Sequence, residues 1–171
     1  MKAHRIVLWW VVATAAADAQ DMTPWLPEQV DKCLKRPEVS TLVVLYDQNP
    51  FYLRGDFDGD GKPDYAVAVR GSKAKRNGVL VCTGGGGVFL LGADNVQAQP
   101  FSDLPEDNFL GADWEVLTRA RTLEMRQWTC TVPHPLPKIL GETIAFIFEG
   151  EGTSIIYWDG SRFRWAGAKQ C

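Results

Sequence analysis

Residues 65–82 read Tyr-Ala-Val-Ala-Val-Arg-Gly-Ser-Lys-Ala-Lys-Arg-Asn-Gly-Val-Leu-Val-Cys. Two short apolar runs rich in β-branched residues, 65–70 and 78–82, flank a basic, polar turn from Lys73 to Asn77. Runs of that length bounded by turn residues are strands rather than helices, and the short polar link makes them a hairpin. Working outward, Thr41–Tyr46 and Phe51–Arg54 are two further strand candidates on the N-terminal side. On the C-terminal side Gly84–Gly87 reads as a hairpin loop, since no Lys-Ser or Lys-Thr follows it to complete a phosphate loop, and Val88–Leu91 reads as the next strand.

Farther along, Trp114–Thr118 reads as a strand and Thr122–Thr131 is open between strand and helix. Thr143–Phe148, Ser154–Trp158 and Arg162–Trp165 are three more strands, the last two joined at Asp159-Gly160. Asp94–Asn108 is polar and reads as a long loop, and Pro133–Pro137 as a proline-stiffened connection. Before the first strand, Pro27–Arg36 reads as a short helix with Val30, Cys33 and Leu34 on one face and Pro37 as its stop. The expected fold is a mainly β single domain, antiparallel and meander-like, with a short N-terminal helix.

Composition agrees with a globular chain: 171 residues, 46% hydrophobic, 23% charged, net charge -3. The acidic balance argues against nucleic acid or anionic membrane as the main partner. No stretch approaches the roughly 20 apolar residues of a membrane span. Lys2, His4 and Arg5, the apolar core Ile6–Ala17 and the small-x-small site Ala17-Asp18-Ala19 have the order of a secretory signal. Residues 1–19 are therefore expected to be a signal peptide, residues 20–171 the β-rich domain, and the product periplasmic or secreted. An even set of four cysteines, Cys33, Cys82, Cys130 and Cys171, suits two disulfides in that setting. Three connectivities are open. Tying both chain ends to the body favours Cys82 with Cys130 and Cys33 with Cys171.

Ahead of the central hairpin lies Gly55-Asp56-Phe57-Asp58-Gly59-Asp60-Gly61-Lys62-Pro63-Asp64. Carboxylates at alternate positions turn to one side of a wrapping chain, so Asp56, Asp58 and Asp60 can meet at one point. Gly61 supplies the sharp turn, the Lys62 carbonyl faces inward, and Asp64 closes the far side directly or through water. An all-oxygen set of this kind suits Ca2+, with Mg2+ second because it wants a smaller octahedron. Four carboxylates so close repel one another by about 1 kcal/mol per pair even in water, so a cation-free loop is expected to fray or take up protons. The loop is no EF-hand, because Val67 stands where the twelfth-position Glu would be.

Residues 55–67 resemble the calcium loops of FG-GAP and VCBS repeats, which read D-x-D-x-D-G-x-x-D and run into an apolar strand. The resemblance implies calcium held by Asp56, Asp58, Asp60, the Lys62 carbonyl and Asp64. One copy in this chain implies one loop rather than a ring of propeller blades. Ile156–Gly160 and Arg162–Trp165 give the chain the look of small exported bacterial proteins.

No residue stands out as catalytic. His134 is the only histidine after the signal and sits between two prolines. Glu142, Glu149 and Glu151 are the carboxylates a glycosidase reading would need. Most tryptophans are expected in the core, with Trp158 and Trp165 as the pair best placed to stack on a sugar or anchor a partner. The expected function is an exported, non-enzymatic calcium-binding domain with a structural ion and an extracytoplasmic protein partner, of inhibitor or immunity type. The competing expectation is a small secreted hydrolase with a calcium-supported active site. Carbohydrate is a weaker ligand expectation.

Overall fold

The computed structural model describes residues 25–73, 75–93, 113–125, 138–148 and 152–166. These hold nine strands and two helices: α1 (Glu28–Leu34), β1 (Val43–Val44), β2 (Tyr52–Gly55), β3 (Asp64–Arg70), β4 (Asn77–Cys82), β5 (Val88–Gly92), β6 (Asp113–Leu117), α2 (Arg119–Met125), β7 (Thr143–Phe148), β8 (Gly152–Trp158) and β9 (Phe163–Ala166). The fold is mainly antiparallel β with a short helix at its start, as expected. The signal peptide, the 94–108 loop, the 133–137 connection, Cys130, Cys171, Trp128, His134, Glu149 and Glu151 lie outside the described residues.

The strands form two antiparallel sheets. The first has the order β1–β3–β4–β5, with β2 also paired to β3, and the second is the meander β6–β7–β8–β9. The 65–82 hairpin is confirmed, with Tyr65 opposite Cys82 and Arg70 opposite Asn77. The 41–46 strand shrinks to Val43–Val44, because β1 and β2 share one side of β3 end to end: Val44 pairs with Val69 and Tyr52 with Val67. The chain leaves the sheet between them, and Trp114 of the other sheet donates its indole N–H to the Pro50 carbonyl exposed by that excursion. The open 122–131 segment begins as helix α2, whose Thr122 hydroxyl meets that of Thr143 at 2.7 Å in a buried pair.

Period-2 alternation sends the apolar residues of β3 and β4 to both faces of the sheet. Ala66, Ala68, Val79 and Val81 face the second sheet and pack with Trp114, Ile144, Phe146, Ile156 and Phe163. Val67, Val69, Leu80 and Cys82 face the other way, onto Val30 and Cys33 of α1. The central hairpin is thus the middle layer, buried on both faces.

Two expectations are corrected. Cys33 is bonded to Cys82, not to Cys171, so Cys82 is not available to Cys130. The helix packs on β4 at the register that puts the two Cα atoms 6.1 Å apart, within disulfide reach. Trp158 and Trp165 are not an exposed pair. Trp158 packs edge-on against Phe89 at 5.3 Å and tilted on Phe163, and Trp165 lies against Phe146, so both rings pack half-buried against the core between the sheets. Among the described residues Trp25 is the tryptophan left in solvent, at 81% exposure.

Candidate metal centre

The acidic loop is the β2–β3 connection, closed at its base by the pairing of Gly55 with Asp64. Gly59 and Gly61 both have positive φ, 77° and 82°, which lets eight residues fold back over a four-residue strand. Asp56, Asp58 and Asp64 each offer a carboxylate oxygen within 4.8 Å of the others. Asp60 is not in that group. Its carboxylate is turned to Lys62, accepting the backbone N–H at 2.8 Å and the ammonium at 3.2 Å.

The carboxylates are organised by the backbone. Asp64, completely buried, accepts N–H bonds from Phe57 (2.7 Å) and Asp58 (3.1 Å) on one oxygen and from Gly84 (2.7 Å) on the other. Asp58 accepts from the Asp60 N–H, and Asp56 Oδ2 from the Gly61 N–H, both at 3.1 Å. These donors offset the carboxylate repulsion and give the loop a defined shape where repulsion alone would fray it. They leave one atom unmatched: Asp56 Oδ1 is buried with no hydrogen-bond partner. A buried, unpartnered carboxylate oxygen costs more than an unpaired neutral group and marks a place where a cation fits.

Electrostatics follow the same division. Burial, reinforced by the neighbouring Asp60 and Asp56 charges, pushes the Asp58 carboxyl above its ordinary pKa. Burial does the same to Asp64, against the pull of the Gly84, Asp58 and Phe57 N–H groups. Asp60 is held low by the backbone N–H and ammonium of Lys62. Burial thereby shifts the inner carboxylates Asp58 and Asp64 toward their protonated forms.

Three residues outside the loop complete it. The Glu142 N–H donates to the Asp56 carbonyl at 2.7 Å, and the Glu142 carboxylate accepts the Asp56 N–H at 2.9 Å. Gly141 lies so close that a Cβ there would collide with the Asp56 carbonyl. Gly84 touches Lys62 and Pro63 as it reaches Asp64. The glycine run is a tight β4–β5 turn, held by Thr83 and Gly87, with a second task on the acidic loop. Glu142 was visible in the sequence only as one of several carboxylates, and no local pattern pairs it with Asp56, 86 residues away. Phe57, between two of the acidic positions, is 1% exposed and anchors the loop in the inter-sheet core.

Compared with known proteins, the chain matches no family model, no curated protein and no solved structure.

Proposed function

We propose that the Asp56–Asp64 loop holds a calcium ion and that the chain is an exported, non-enzymatic β-domain kept in shape by it. The observation that carries this reading is Asp56 Oδ1, buried and unpartnered beside two other converging carboxylates. The donor set is hard oxygen throughout, the chemistry calcium prefers over softer metals. Asp56, Asp58 and Asp64 would supply the inner oxygens. Asp60 and the Lys62 carbonyl would complete the shell, with the Asp60 carboxylate giving up the Lys62 ammonium.

The role assigned to the ion is structural. The loop is gripped by Glu142, which leads into β7 of the second sheet, and by Gly84, which follows β4 of the first. An ion there would lock the joint between the sheets. The affinity expected of an extracellular module, about 10⁻⁴–10⁻³ M, suits an exported protein. A protein partner outside the cytoplasm is the companion proposal, resting on size and the signal-like N-terminus. The hydrolase alternative gains nothing from Glu142, whose carboxylate is engaged with the Asp56 N–H.

Isothermal titration of the chelator-treated chain with Ca2+ and with Mg2+ tests the site. Saturable binding of one ion, tighter for calcium and lost in Asp56→Asn, is expected. No calcium binding, or equal binding by Asp56→Asn, overturns the reading.

A further inference from the structure

The Cys33–Cys82 bridge spans 49 residues, and the acidic loop lies inside that span. Four hydrogen bonds made by three residues link α1, the β4–β5 turn and the loop. Gln29, one turn before Cys33 on α1, donates its side-chain amide to the Cys82 carbonyl at 2.9 Å and to the Pro63 carbonyl at 3.3 Å. Arg36, just past the helix, donates to the Gly86 carbonyl at 2.7 Å. Two residues beyond Cys82, the Gly84 N–H reaches Asp64. The bridge therefore clamps α1 and the β4–β5 turn together, and that pair holds Pro63 and Asp64, the last part of the loop.

Access to the sulfurs is restricted. Cys33 is 5% and Cys82 1% exposed. Both line a cleft of about 400 Å³ between α1 and the β4–β5 turn, whose walls include Lys32, Arg36, Thr83 and Gly86. Lifting α1 from β4 would expose both sulfurs more fully to a thiol in the cleft. Lifting it also withdraws Gln29 from Pro63.

We propose that the Cys33–Cys82 bridge and the metal loop are one coupled unit: the intact bridge raises calcium affinity, and bound calcium protects the bridge from thiol reductants. This rests on the calcium reading above. The chemistry is thiol–disulfide exchange. A dithiol's thiolate attacks one sulfur, the Cys33–Cys82 bond breaks, and a mixed disulfide forms. The reductant's second thiolate then displaces the protein sulfur and closes a cyclic disulfide. Two electrons and two protons pass from the dithiol to Cys33 and Cys82, which leave as thiols. Linkage requires the two effects to be equal in free energy.

Calcium titration of the oxidised chain and of the Cys33→Ser/Cys82→Ser variant is the first test, with affinity about tenfold weaker in the variant, a typical coupling. Should the variant not fold, the second test uses the oxidised wild-type chain. It is equilibrated in buffers of reduced and oxidised dithiothreitol, in saturating calcium or in chelator, then quenched by alkylation, and the Cys33 and Cys82 peptides are quantified separately from those of Cys130 and Cys171. The equilibrium constant for reducing this bridge is expected to be about tenfold smaller in calcium, the same coupling read from the other side. Calcium binding by the wild type with no difference in either test overturns the coupling alone. Failure of the oxidised wild type to bind calcium overturns the metal site and the coupling together.

Discussion

Glu142 holds the Asp56 peptide from both sides, its N–H on the Asp56 carbonyl at 2.7 Å and its carboxylate on the Asp56 N–H at 2.9 Å. Asp56 is the first residue of the acidic loop and Glu142 the residue before β7. The two sheets are thus joined through the backbone of a proposed metal ligand. Replacing Glu142 by Ala removes the charged acceptor and leaves the Asp56 N–H without it. Chemical denaturation should show a loss of about 1.5–3 kcal/mol, the range for a hydrogen bond to a charged group. Glu142→Gln, which keeps a carbonyl acceptor, should recover part of it. Equal stability of the wild type and Glu142→Ala would show that the clamp contributes nothing.

Gly141 permits the approach that Glu142 exploits. A methyl group at this position meets the backbone of Asp56 and Phe57, which cannot rotate aside as a side chain could. Gly141→Ala should therefore cost about 1–3 kcal/mol, the usual penalty for overpacking, and should lower calcium affinity with it. Thermal melts in chelator measure the first effect and calcium titration the second.

Asp56→Asn separates the two states of the loop. In chelator the change removes a negative charge from a buried, unpartnered position, so stability should hold or rise. In calcium the wild type should gain about 2.7 kcal/mol when the ion is at a hundred times its dissociation constant, and the variant should gain nothing. Melting temperatures of both proteins, with chelator and with calcium, give the four values needed. A variant that still responds fully to calcium contradicts the role given to Asp56.

Acid should act on the metal-free protein in two windows of opposite sign. Asp58 and Asp64 have raised pKa values in the folded chain, chiefly through burial. Groups of this kind bind protons more tightly when folded, so stability in chelator should rise as pH falls from neutral toward the ordinary carboxylate value of about 4. At Asp159 burial opposes ionisation. Hydrogen bonds from Arg164, Ser161 and Arg162 together outweigh it and hold the carboxyl well below its usual pKa. Its contribution is present above that usual value and should be lost as pH falls further toward the folded-state pKa. Asp159→Asn should flatten the lower window and leave the upper one. Urea midpoints across the acid range, in chelator, resolve both.

The parts of this protein that were legible in the chain are those set by neighbours in sequence. The 65–82 hairpin follows from two apolar runs and a polar turn, and the turn at Gly61 from a residue that tolerates positive φ. Alternate spacing around a bend points to Asp56, Asp58 and Asp60 meeting; Asp56 and Asp58 do meet, with Asp64, while the Asp60 carboxylate turns to Lys62 instead. The β-rich architecture and the short helix before it needed nothing more than periodicity.

What periodicity does not encode is which surfaces meet. The Cys33–Cys82 pairing depends on where α1 settles on the outer face of the first sheet, because a disulfide forms only where packing brings two Cα atoms within a few ångströms. Trp158 and Trp165 are half-buried against the core because their hairpin faces the other sheet. Gly84 reaches the acidic loop from the neighbouring strand, 20 residues away, and Glu142 from the other sheet, 86 residues away, the latter a contact that exists only once both sheets have closed. Local backbone chemistry is written residue by residue along a chain. Long-range contact is a property of the packed whole, chosen by the burial of faces to which many distant residues contribute.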